Sequence, residues 1–499
     1  MGLVAETRQA IRDSPRGVFN WYLLMNIAIF ALSGISRGFD EANIASLVVQ
    51  SRFRIKFGLG QQSPDEYANT KGWIVSMFTA GMTLGCLLVA PKTIRGLLAV
   101  QFAACQQLGV VFGFFINYGI TKNYDGTDMQ WMFPTLIQLV PAAVWGLGLL
   151  VCEESPRWLL YVGRRTQAVS VLAKLRHLPS SHPTVVAEIA VMEFQILQER
   201  EAASGTSQWH LIKETVVPVE NRRRFCLVML AHLFSQWSGG NAITQYLPTI
   251  LGYLGTTGDA LSLTTALYAV VKFAALLIFS LVVVDFVGRR RSLMAGITLQ
   301  IVTLAYLACY LGISRQMSTT TILHAASATH ASRAAIAAIF VHGVGWVIGW
   351  FSMPFLIGSE IFPIRIRSLA LSMGMAGHWL FAFGCTRATP DLLDVMEEWG
   401  AFAFFAGICL VSLVYVFFAM PVSEVTPWVT VEGSERQTTW GTDRTQDTTG
   451  RSLEALDGLF QRPWYTVYQV AYAKKEDEEI EVQAIQERGK SELAMAEEA

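Results

Sequence analysis

Long apolar runs joined by short charged connections dominate the chain. Runs of about 20 residues, enough to cross a bilayer, fall near 21–50, 72–90, 97–119, 131–152, 225–254, 261–285, 292–313, 334–358, 367–388 and 399–420. Ten such runs predict an all-α polytopic membrane protein, because each helix satisfies its own backbone groups inside lipid. An even count puts both termini on one side. Arginines at 8, 12, 16, 164, 165, 222–224 and 289–291 assign that side to the cytoplasm. One connection disagrees: 51–71 falls outside and yet holds Arg52, Arg54, Lys56 and Lys71. The expected layout is a tail (1–20), a first membrane half (21–152), a cytoplasmic linker (153–222), a second half (223–421), an insert (422–446) and a cytoplasmic tail (447–499). In the linker, Val185, Ile189, Met192 and Ile196 recur at helical spacing and predict short amphipathic helices.

Polar residues inside the apolar runs need a reason, because lipid does not solvate them. The densest set is FSQWSGGNAITQY, 234–246, with Gln236, Asn241, Gln245 and Tyr246 around the glycine pair Gly239 and Gly240. Two readings stay open from these residues: a helix lining a polar solute path, or amide contacts between packed helices. Asp40, within the first run, is a candidate proton site; solvation by Arg37 or by the outer surface is the alternative. Lys272, mid-way along its run, needs a buried acid or an anionic solute. His378 and Trp379 lie in the ninth run, where a lone histidine is more often a satisfied packing residue. Where runs end, acid and arginine recur together: Glu154 with Arg157, Asp285 with Arg289 and Arg290, Glu360 with Arg365 and Arg367. Such sets lock helix ends in one conformation and release them in another.

Composition adds exclusions. Of 499 residues, 52% are hydrophobic and 15% charged, and the net charge is -1, which offers no basic excess for nucleic acid. The seven cysteines show neither metal spacing nor a disulfide framework and read as small buried hydrophobes. No nucleophile–base set or phosphate-cradling glycine loop suggests an enzyme, and no cofactor is expected beyond a proton gradient.

Five motifs are specific in combination: CEESPRWLLYVGR (152–164), QWSGGNAITQYLP (236–248), DFVGRRR (285–291), PFLIGSEIFPIRIRS (354–368) and SLEALDGLF (452–460). Together they resemble the sugar porter family of the major facilitator superfamily, in its fungal form. The resemblance implies an alternating-access carrier with its solute near the midplane, probed by hydrogen bonds from Gln236 and Asn241 to hydroxyls. It also implies aromatic faces from Phe355 and Trp379, a further amide at Gln107, and proton binding at Asp40. The acid–arginine sets become the cytoplasmic gate. Ser235 and Gln245 depart from the hexose pattern, and His378 stands where asparagine is usual. A lysine at Lys272 resembles the quinate and sugar-acid branch. The expected solute is therefore a sugar, polyol or sugar acid, moved with a proton by a monomer in the plasma membrane.

The family has twelve spans, and ten are counted here. GWIVSMFTAGMTLGCLL (72–88) resembles span two and APKTIRGLL (90–98) the loop before span five, so spans three and four are absent at that join. The arginine that partners the first-span acid is lost with them. The insert 422–446 reads as a translated intron. A non-transporting sensor or inactive truncated copy is the rival from another class.

Overall fold

The computed structural model describes residues 20–88, 96–203, 208–280, 289–316 and 326–420. The termini, the 422–446 insert and Asp285 lie outside these residues, as does the side chain of Glu360.

The first membrane helix, α1 (Trp21–Leu47), starts at Asn20, whose side chain accepts from the Leu23 amide at 2.9 Å. This is the N-cap that frees the first turn from orphan donors. A short α2 (Ser51–Lys56) leads to α3 (Pro64–Leu88) and then α4 (Gly96–Asn123). Next come α5 (Met129–Ile137) and α6 (Leu139–Leu149), followed by four linker helices: α7 (Pro156–Tyr161), α8 (Arg165–Arg176), α9 (Pro183–Ala203) and α10 (Gln208–Val216). The second half begins with α11 (Val219–Trp237), α12 (Gly240–Gln245) and α13 (Leu247–Tyr253), then α14 (Gly258–Ile278) and α15 (Arg289–Gln316). It continues with α16 (Ala326–Trp346), a π-turn over Val347–Phe351, α17 (Met353–Ile361), α18 (Ile364–Val395) and α19 (Trp399–Ala419).

Among the described residues, eight helices are long and apolar enough to cross a membrane. The other two expected runs are also helical. One is α3, and the other is split at Gly239 and again at Tyr246 into α11, α12 and α13, so no single piece reaches the required length and apolarity.

Small residues set the packing of the first half. A Cβ on Gly38 would stand 1.8 Å from the Gln106 carbonyl oxygen, and one on Gly109 2.2 Å from that of Ile35. The backbones of α1 and α4 therefore touch, as small-residue seams in membranes allow. Ala42 and Ala45 of α1 and Val110 and Phe114 of α4 form one buried cluster with Ala266 and Ala269 of α14, which joins the two halves. At the end away from the linker, α3 lies along α18: Arg387 hydrogen-bonds Asn69, and a Cβ on Gly72 would be 3.1 Å from Arg387. By contrast α5 and α6 leave Leu136, Leu139, Val140, Val144 and Leu147 exposed.

The linker helices have their own core of Leu159, Leu160, Ala168, Leu172, Val185, Ile189 and Ile196, as the apolar spacing predicts. Its entrance explains the SPRWL motif: Ser155 caps α7 by accepting from the Trp158 amide at 3.1 Å, with Pro156 in the first turn. Arg176 grips Glu188 through Nε and Nη2, tying α8 to α9.

The cationic 51–71 connection has local partners. Lys56 is 3.9 Å from Asp128, Arg54 lies 4.4 Å over the Tyr67 ring, and Lys71 is buried inside α3. Cys385 and Cys409 are buried as expected, but Cys226 and Cys309 are exposed. An apolar surface in contact with lipid accepts such a thiol as readily as a core does.

Candidate functional site

The polar stretch of the fifth expected run is broken by its glycines. Gly239 takes φ +87°, in the left-handed region that favours glycine. At Gly240 a Cβ would meet the Trp346 indole at 2.2 Å, so only a residue without one fits under that ring. The backbone opened here is partnered across the half: Trp346 Nε1 donates to the Ser235 carbonyl at 3.3 Å, and Ser235 Oγ donates to the Trp350 carbonyl at 3.1 Å. The latter carbonyl belongs to the π-turn, so two irregular backbones face each other in the interior.

Around the break the amides converge. Asn241 Nδ2 donates to Gln236 Oε1 at 2.6 Å, and Gln236 Nε2 lies 3.1 Å from His378 Nε2. His378 Nδ1 is 3.1 Å from His232 Nδ1, so one ring must donate and the other accept. Phe355 completes the group, 4.9 Å from the His378 ring and 5.3 Å from His232. Trp379 stands edge-on to His378 at 4.9 Å, and its own face is covered by the Arg37 guanidinium at 4.3 Å. Arg37 thus stacks on the second half. His378 is one member of a histidine pair, where the sequence suggested a lone packing residue. His232 was missed, although it sits one helical turn before Gln236 and so shares its face.

Lys272 is fully enclosed, at 1% exposure. Its ammonium donates to Thr244 Oγ1 at 3.0 Å and lies 4.6 Å from the Trp346 ring and 5.5 Å from the Tyr268 ring. Thr244 belongs to α12, so the glycine break and the lysine form one site. Gln107 and Gln245 each hold a buried side-chain Oε1 without a hydrogen-bond partner, and the Tyr268 hydroxyl faces Thr244. Buried polar atoms are rarely left so. A cation backed by aromatic faces and bonded to a hydroxyl suits a molecule carrying hydroxyls and negative charge.

In the first half, Asp40 bonds to the Gln138 side chain. Gln138 Oε1 accepts from Asn43 at 2.9 Å, Asn43 Oδ1 from Asn117 at 3.2 Å, and Asn117 Oδ1 from Gln50 at 3.3 Å. The acid is thus the end of a string of amides that crosses α1, α4 and the start of α6. Its Oδ1 has no hydrogen-bond partner.

Tyr246 is removed from the amide cluster. Its hydroxyl donates to the Thr386 carbonyl at 3.0 Å, and its ring lies 5.2 Å from Lys71 Nζ, which donates to Thr249 Oγ1 at 2.5 Å. These contacts seal α3, α13 and α18 together at the end away from the linker. Of the acid–arginine sets, Arg157 donates to Gln195 at 2.9 Å and Arg365 pairs with Glu214 at 3.2 Å. Arg290 donates to the Phe417 carbonyl at 2.5 Å and Arg367 to the Phe362 carbonyl at 2.9 Å. Glu154 is exposed and Arg289 half-buried.

Residues 88–428 match the family described as "Sugar (and other) transporter". A "Quinate permease" of Emericella nidulans is 28% identical, over 84% of this chain and 90% of its own. A "Quinate permease" of Neurospora africana is also 28% identical, over 83% and 89%. A "Probable quinate permease" of Neosartorya fischeri is 27% identical over 96% and 95%. Among solved structures, the partially occluded inward-open xylose transporter XylE of E. coli superposes with a TM-score of 0.62 at 16% identity, covering 82% of this chain and 100% of that one. Its complex with 6-bromo-6-deoxy-D-glucose, described as a proton:xylose symporter of the major facilitator superfamily, gives 0.60 at 17% identity, over 81% and 97%. With these matches and an all-helical bundle broken at its polar centre, the chain belongs to the sugar transporter family and has the major facilitator fold.

Proposed function

We propose that this carrier moves a polyhydroxylated acid of the quinate type, together with a proton, by alternating access. The observation that carries the reading is Lys272: a buried ammonium at the broken helix, with Thr244 as its hydrogen-bond partner. No acid pairs directly with this ammonium among the described residues, so a solute carboxylate can supply the ion pair that a neutral hexose cannot. The fungal quinate permeases among the relatives support it. Gln236, Asn241, Gln245 and Gln107 bind hydroxyls, Phe355 and Trp379 offer ring faces, and Asp40 takes the proton. The seam of Lys71, Tyr246 and Thr386 is the closed outer gate. Glu154, Arg157, Asp285, Arg289, Arg290, Glu360, Arg365 and Arg367 close the linker side in the opposite state. The carrier is a monomer in the plasma membrane with both termini cytoplasmic.

A second reading has its own observation. Asp40 is tied to an amide, Gln138, and a carboxyl without a cationic partner loses the pairing through which protonation is coupled. Spans three and four are missing at 88–96 in this reading, and the chain is an inactive copy or a non-transporting sensor. Three facts favour the loss of a segment. The alignment to the Neosartorya fischeri protein runs over 547 residues, longer than this chain of 499. The family match begins at residue 88, beside the join. Among the described residues, Leu136, Leu139, Val140, Val144 and Leu147 of α5 and α6 are left exposed. Uptake of labelled quinate and hexoses in transporter-null yeast separates the readings. Quinate uptake supports the carrier; no uptake of either solute, with normal surface expression, overturns it. Sequencing the message across codons 85–95 and 420–450 shows whether the join and the insert belong to the mature transcript.

A further inference from the structure

Glu41 is a buried carboxylate, 7% exposed, that the roles above leave unused. It follows Asp40 directly, and one residue is about 100° around a helix. The two acids therefore look at different neighbours. Asp40 meets Gln138. Glu41 accepts from Gln106 of α4 at 3.4 Å. The next residue, Ala42, packs with Ala45, Ala266 and Ala269 in the cluster that joins α1 to α14. Lys272 lies three residues, or nearly one turn, beyond Ala269 on α14.

The ammonium of Lys272 has two aromatic faces and one hydroxyl around it, and the opposite charge acting on it is that of Glu41. No direct ion pair joins the two. The carboxylate belongs to the first membrane half and the lysine to the second. A buried cation is costly without a counter-charge. A buried carboxylate near it, but short of contact, offsets part of that charge without occupying its hydrogen bonds.

We propose that Glu41 is a tethered counter-ion for Lys272 in the empty carrier, and that an acid solute takes its place. The inference rests on Lys272 being the partner of the solute carboxylate. Glu41 then sets specificity from the opposite side of the site: it holds Lys272 in charge balance when no solute is present, and repels any anion that binds Lys272 weakly. It also links the two halves only while the site is empty.

The test uses the full-length chain, purified in detergent, with quinate and uncharged myo-inositol as probes. Glu41→Gln binds quinate more tightly, by about tenfold, since a like charge facing the ligand is gone; myo-inositol binding stays the same. Unchanged or weaker quinate binding by folded Glu41→Gln overturns the proposal. Lys272→Gln discriminates the two levels of the argument. If it keeps wild-type quinate affinity, the sugar-acid reading itself fails. If it loses quinate while Glu41→Gln leaves affinity unchanged, only the counter-ion role fails. Thermal unfolding gives an independent readout. Lys272→Gln lowers the melting temperature, because Glu41 loses its counter-charge, and adding Glu41→Gln restores part of the loss. Purely additive losses contradict the pairing.

Discussion

Asn241 donates to Gln236 at 2.6 Å across the left-handed turn of Gly239. The bond holds two amides on opposite sides of a helix break, and His378 fixes the other end of Gln236. Removing Gln236 therefore disturbs three polar groups at once. Gln236→Ala should weaken solute binding by about 1–3 kcal/mol, or roughly five- to 150-fold in KM for uptake. Surface expression should stay near wild type. An unchanged KM would take Gln236 out of the binding site.

The turn itself depends on the glycines. Gly240→Ala puts a methyl 2.2 Å from the Trp346 indole, against ring atoms that are themselves buried. Overpacking of this kind costs about 1–3 kcal/mol. The melting temperature of the purified protein should fall, and Trp346→Phe should recover part of the loss. Gly38→Ala is expected to be worse, since its obstacle at 1.8 Å is a backbone carbonyl that no rotamer change can move.

At the end away from the linker, Lys71 ties α3 to Thr249 and lies over the Tyr246 ring. Native Cys385, buried beside Thr386, reports on that seam. Lys71→Met should raise its labelling by a membrane-impermeant maleimide, read peptide by peptide with mass spectrometry. Labelling that stays at the wild-type level would show that the seam does not depend on Lys71.

The linker helices make a separate prediction. Val185 is fully buried in their small core with Leu172 and Ile189. Val185→Asp buries an unpaired carboxylate there, at a cost of about 3 kcal/mol or more. Limited proteolysis should then cut within 156–203 at protease levels that spare the wild type. Equal resistance would mean that this core does not hold the linker together.

Much of this fold was legible in the chain because lipid imposes a simple rule: long apolar runs become helices, and polar residues within them need a partner. The glycine break at 239–240 and its amides could be read on that basis, as could the linker core from the spacing of Val185, Ile189 and Ile196. What the sequence concealed depends on helix phase and on contacts between the halves. Asp40 matched a family acid and drew attention from Glu41, although one residue of rotation points the two at different helices. His232 lies one turn from Gln236, and its pairing with His378, 146 residues away, is a matter of how α11 meets α18. Tyr246 belongs to a seal rather than to the amide cluster because the second break, at Tyr246 and Leu247, redirects the chain. No periodicity in the sequence encodes that direction.

The central claim is that Lys272 holds a solute carboxylate. Counterflow of labelled quinate and labelled glucose into proteoliposomes, by wild type and by Lys272→Gln, tests it most directly. The account predicts quinate counterflow by the wild type, little glucose counterflow, and loss of the quinate signal by at least tenfold in Lys272→Gln, as expected when a buried ion pair loses one partner. Quinate counterflow that survives in Lys272→Gln, or a wild type that carries glucose and ignores quinate, would contradict it.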